Sequence, residues 1–70
     1  MSSEEREFPR EMQPRYDEVD VARILRVSVR TVQAWRLRRT GPSFVRIGTH
    51  VRYTERALLD YIEARTEKHE

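Results

Sequence analysis

The sequence predicts a small, mainly α-helical domain carrying one short β-hairpin. Three observations predict it. Apolar residues recur at helical spacing in three segments, each opened by a residue whose side chain caps helices. Between the second and third segments, a ten-residue stretch instead alternates apolar and polar residues on either side of a glycine. At 70 residues the chain has material for one modest core.

The elements follow in order. Residues 1–15, MSSEEREFPREMQPR, are polar, proline-punctuated and without period, and read as a flexible arm in which Phe8 is a plain exposed aromatic. The folded domain spans 16–65, with order beginning at Tyr16. Asp17 suits a helix N-cap, and Asp20 adds an acid to the first turn, where the helix dipole favours it. Val21, Ala22, Ile24 and Leu25 then form the stripe of a helix over 18–25. Arg26 and Val27 break it. Ser28 caps a second helix over 29–38, with Thr31 in its first turn. Its buried face is Val32 and Trp35, flanked by Val29 or Leu37. Thr40-Gly41-Pro42 ends this helix, because proline cannot continue it. Val45 and Ile47 alternate with Arg46, and Val51 and Tyr53 with Arg52, across Gly48-Thr49-His50. That pattern predicts a hairpin with one apolar face and one arginine face, resting on the helices because a lone hairpin is marginal. Thr54 caps a third helix over 55–65, marked by Leu58, Leu59 and Ile62 with Ala57 and Tyr61 flanking. Residues 66–70 form a frayed tail.

Composition narrows the function. There is no cysteine, which excludes disulfides and thiolate metal sites. No apolar run approaches the ~20 residues of a membrane span and no signal peptide opens the chain, so a soluble protein of the cytoplasm is expected. The two histidines are His50 and His69, the latter in the tail, and no nucleophile–base or paired-carboxylate cluster is present. No catalytic residue, cofactor or metal site is therefore expected. The net charge of +2 hides an asymmetry. Residues 26–53 carry seven arginines and no acid, whereas both flanks are net acidic. Thirteen of the fourteen basic residues are arginine, which favours bidentate contact with phosphate or guanine. A surface of this kind is suited to a polyanion.

Two short helices joined by a tight turn suggest a helix-turn-helix. Ala22 is small where the helices cross, and Ser28, Arg30, Gln33 and Ala34 are left outward on the second helix. With the rest of the series, the stretch from Tyr16 to Ala64 resembles the winged helix-turn-helix of excisionases, related to the DNA-binding domain of MerR-like regulators. The matching residues are Val21-Ala22, Leu25, Val27-Ser28, Thr31-Val32, Trp35, Pro42, Val45-Arg46-Ile47-Gly48, Val51-Arg52-Tyr53 and Leu58, in that order. The short chain is similar to stand-alone phage excisionases, those of actinobacterial phages in particular. It departs from the family at Arg26, where glycine is frequent, and at Thr49-His50, where the wing tip often has arginines. A non-glycine residue at the turn carries strain of order 1 kcal/mol if its φ is positive.

The resemblance implies a recognition helix in the major groove. Arg30 suits guanine, Gln33 adenine or phosphate, and Val29 and Ala34 thymine methyls. Ser28 and Thr31 sit where backbone N–H groups attract a phosphate, and equally suit capping alone. Arg36, Arg38 and Arg39 are expected on backbone phosphate. The hairpin is the wing, with Arg46, Thr49, His50 and Arg52 toward the backbone or minor groove. The implied role is a recombination directionality factor, in which copies bind double-stranded DNA side by side, bend it and favour excision by a phage integrase. A small transcriptional regulator of the same fold is the alternative. A protein-interaction adaptor without DNA binding is the alternative from another class.

Overall fold

A computed structural model describes residues 9–68. The first eight residues of the arm, including Phe8, and the end of the tail, including His69, lie outside them. Among the described residues are three α-helices, α1 (Glu18–Leu25), α2 (Val29–Arg38) and α3 (Glu55–Arg65), with strands β1 (Val45–Ile47) and β2 (His50–Arg52) between the last two. The helices have the bounds that the sequence predicts, and their caps explain why. The Asp17 carboxylate accepts from the Asp20 N–H at 2.8 Å, and the Asp20 carboxylate accepts from the Asp17 N–H at 3.1 Å. This reciprocal pair closes a capping box. Ser28 accepts from the Thr31 N–H and Thr54 from the Ala57 N–H, each at 3.0 Å.

The helix ends are less expected. Arg26 adopts the left-handed conformation at φ 60°, and the next N–H, of Val27, donates back to the Ala22 carbonyl at 2.9 Å. Arg39 repeats the device at φ 58°, with the Thr40 N–H donating to the Trp35 carbonyl at 2.8 Å. Both helices thus end on the 6→1 bond of a left-handed cap, with arginine where glycine is usual. Gly41 follows at φ 79°.

Val21, Ala22, Val32, Tyr53 and Leu58 form the buried core, packed round by Tyr16, Leu25, Val27, Val29, Trp35, Phe44 and Val51. Ala22 of α1 is buried in the same cluster as Val32 of α2. Not every predicted apolar residue is inside. Leu37 is 87% exposed, so Val29 alone flanks the inner face of α2. Ile24, Leu59 and Ile62 are also exposed. Of the three residues that mark α3, Leu58 is the buried one, and Tyr61 packs on Trp35 with ring centroids 5.5 Å apart.

The hairpin corrects the sequence reading. Its register pairs Val45 with Arg52, Arg46 with Val51 and Ile47 with His50. Directly opposed residues share a face of an antiparallel pair. Arg46 and Arg52 therefore lie on opposite faces, and no purely apolar or purely arginine face exists. The cause is the turn. A three-residue Gly48-Thr49-His50 loop would set Arg46 opposite Arg52. The actual two-residue loop, Gly48-Thr49, with φ 62° at its glycine, shifts the pairing by one and turns β2 over. Phe44 and Val51 face the core, while Val45 and Ile47 are exposed.

The chain entering α1 is tied to the hairpin's end. The Tyr16 N–H donates to the Tyr53 carbonyl at 3.1 Å, and the Tyr53 N–H to the Tyr16 carbonyl at 2.7 Å. Ahead of it, Arg10–Met12 forms a single 3₁₀ turn lying on α3, where the Arg56 guanidinium donates to the Glu11 carboxylate. The later part of the predicted arm thus has a docking point on the domain.

Candidate nucleic-acid interface

The capped start of α2 fixes which of its residues face out. Val32 is fully buried, so Arg30, Gln33 and Leu37, at a spacing of three and four, stand exposed on the opposite side, with Ala34 half-buried among them. Val29 packs on the core and shows part of its side chain. Ser28 and Thr31 have their hydroxyls 2.9 Å from each other, and Ser28 also holds the Thr31 N–H. Capping thus occupies both side chains, while Ser28 remains exposed. Trp35 lies inward against Tyr61, as the phase it shares with Val32 predicts.

The arginines fall into distinct settings. Arg30, Arg38, Arg39 and Arg46 are exposed. Arg36, Arg39 and Arg46, with Thr40 and Ser43, line a cleft of about 530 Å³ between the end of α2 and the start of the hairpin. Arg46 also holds its guanidinium 6.0 Å from the Phe44 ring centroid. Arg52 is half-buried, and its Nη1 donates to the Val51 carbonyl at 2.9 Å. Thr49 and His50 are exposed at the hairpin tip. With Arg36 and Arg52 they line a second cleft, of about 300 Å³, whose other wall carries Asp17 and Glu18. Arg36, Arg39, Arg46, Thr49, His50 and Arg52 thus line two clefts that share Arg36, while Ser28, Val29, Arg30, Thr31, Gln33, Ala34 and Arg38 lie along α2 outside them.

Glu18 escaped the sequence reading. Its carboxylate accepts from Gln33 Nε2 and Arg36 Nη1, each at 2.9 Å. The Glu18 carboxylate is the main influence holding the Arg36 guanidinium above its ordinary pKa, against the opposing effect of burial, with the Tyr53 hydroxyl adding to it. The available signal was that Gln33 and Arg36 are three apart on one helix face, within reach of a single acceptor. On the same helix terminus, the Asp17 carboxyl is held below its ordinary pKa, chiefly by the backbone N–H of Asp20. Among the described residues no three His, Asp or Glu side chains gather as a metal site would need. No helix among them is long and apolar enough to cross a membrane.

A family model described as "Helix-turn-helix domain" matches residues 16–66, a span that begins at Tyr16 and runs through α3. No curated protein and no solved structure matches the chain. The match agrees with the fold, three helices with a two-stranded antiparallel hairpin, which is that of a winged helix-turn-helix. It supports sequence-specific binding to double-stranded DNA, with α2 as the second helix of the motif. The chain belongs to the helix-turn-helix domain family.

Proposed function

We propose that this protein is an excisionase-type recombination directionality factor. Its α2 enters the major groove and its hairpin serves as the wing. The observation that carries the reading is the acid-free arginine block of residues 26–53, which the fold divides between the exposed side of α2 and the adjoining hairpin. Arg30 reads a guanine from the exposed stripe, and Gln33 contacts the neighbouring base or phosphate. Arg38, Arg39 and Arg46 hold backbone phosphate, and Arg52, Thr49 and His50 approach the backbone beside the wing. Ser28 and Thr31 shape the helix start, while Val29 and Ala34 offer apolar contact to thymine methyls.

The excisionase role is supported by the ordered residues from Val21-Ala22 to Leu58 that resemble that group. Such a protein works through geometry. Bending a 20–30 bp site costs on the order of 1–6 kcal/mol, which several copies bound side by side offset through their phosphate contacts. A phage integrase is then the partner that the bent DNA serves. Crosslinking the protein to DNA in its native cell and sequencing the bound fragments tests this role. Clustered sites flanking an attachment core are expected. Sites upstream of genes would assign a transcriptional regulator of the same fold instead, and no enrichment would leave an adaptor without DNA binding.

A further inference from the structure

Glu18 joins two helices through two donors. Gln33 and Arg36 lie three residues apart on α2, and Glu18 is in the first turn of α1. The Arg36 side chain is 23% exposed and that of Glu18 31%. Two chemical consequences follow. A carboxylate only accepts, so the Gln33 amide turns an N–H toward Glu18 and its carbonyl oxygen elsewhere. The second N–H and the carbonyl oxygen are left over, and an amide that presents one donor and one acceptor matches adenine N7 and N6. Meanwhile Arg36, placed where the two clefts meet, has its charge answered by the Glu18 carboxylate within the protein.

We propose that Glu18 is a positioning residue that sets how α2 reads DNA: it fixes the Gln33 amide and withholds Arg36 from the phosphate contacts. This rests on the DNA-binding reading above. It separates the arginine block into members that meet DNA and one that braces the helix that does.

The test compares the full chain with Glu18→Gln, Glu18→Ala, Arg36→Ala and the Glu18→Gln/Arg36→Ala double variant. Affinity for a duplex site is measured across salt, and base preference by selection from randomised duplexes. Glu18→Gln keeps an acceptor for Gln33 but frees Arg36. Its salt slope steepens by about 0.9, the equivalent of one added phosphate contact, or roughly threefold more affinity lost between 50 and 200 mM salt. In the Arg36→Ala background the same substitution leaves the slope unchanged. Glu18→Ala also relaxes the preference at the base pair read by Gln33. A slope unaltered in Glu18→Gln overturns the proposal, as does a steepening that survives in the Arg36→Ala background, which would mark a general effect of removing an anion. Wild-type preference retained in Glu18→Ala overturns it as well. A merely structural Glu18 lowers the melting temperature and leaves slope and preference alone. Absence of salt-dependent duplex binding by the wild type is a different failure, that of the DNA-binding reading itself.

Discussion

Gly41 and Trp35 touch so closely that a β-carbon on Gly41 would stand 2.8 Å from both Cβ and Cε3 of Trp35. Gly41 also has φ 79°. The turn that carries the chain from α2 to the hairpin is therefore folded tightly onto the aromatic wall that Trp35 shares with Tyr61. Gly41→Ala adds a left-handed alanine and a clash against the root of a half-buried side chain. It is expected to cost about 1–3 kcal/mol. Thermal unfolding by circular dichroism reads this directly, and an unchanged melting temperature would contradict the packing.

Arg26 predicts the opposite direction. At φ 60° it is one of two non-glycine residues with positive φ among those described, and its side chain is exposed. Arg26→Gly relieves left-handed strain and is expected to raise stability by up to about 1 kcal/mol, less the entropy that glycine adds to the unfolded chain. Arg26→Val, β-branched in the same conformation, is expected to lose about 1–2 kcal/mol. Denaturant melts of the two variants should bracket the wild type.

Asp17 gives a pH signature. Its folded pKa lies below the ordinary value of 3.8, mainly because its ionised carboxyl accepts from the Asp20 N–H. The folded protein thus binds this proton less tightly than the unfolded chain does. Its stabilisation is complete above the unfolded value and is lost as pH falls through the folded one. Asp17→Ala should cost about 1 kcal/mol at pH 7, the usual worth of an N-cap. The gap between variant and wild type should narrow below about pH 4. A gap that stays constant down to pH 2 would assign the cap's effect to something other than charge.

Arg39 and Arg46 should act without regard to sequence. Both line the same cleft and both are exposed. Replacing either by alanine is expected to weaken all duplexes alike and to flatten the salt slope by about 0.9. Titrations of two unrelated duplexes suffice, and a loss confined to one of them would assign that arginine to base readout.

The helices were legible because their signals are local. Asp17, Ser28 and Thr54 each cap within three residues, and the stripes behind them need no tertiary information. The hairpin's existence was equally legible from its alternation. Its register was not, because a two-residue and a three-residue loop both fit Gly48-Thr49-His50, and one residue of slip moves Arg52 from the face of Arg46 to the opposite one. Leu37 shares the apolar pattern of α2 yet stands in solvent, since position along the helix decides burial only once the neighbouring elements are in place. Arg39 is left-handed with nothing in its residue type to announce it, whereas the left-handed Gly41 two residues on is of the type that turn favours. Glu18 was invisible as a site residue because its partners lie 15 and 18 residues away, and the Tyr16–Tyr53 pairing for the same reason of distance.

The central claim is that α2 reads duplex DNA from its exposed stripe, with Arg30 as its base-reading arginine. The most direct measurement is selection of bound duplexes from a randomised pool, run in parallel for the wild type and Arg30→Ala. The wild type should enrich a defined motif. Arg30→Ala should enrich the same motif with one guanine position relaxed, at a cost of roughly 1–3 kcal/mol in affinity for the original site. Identical motifs and equal affinities from the two proteins would contradict the claim.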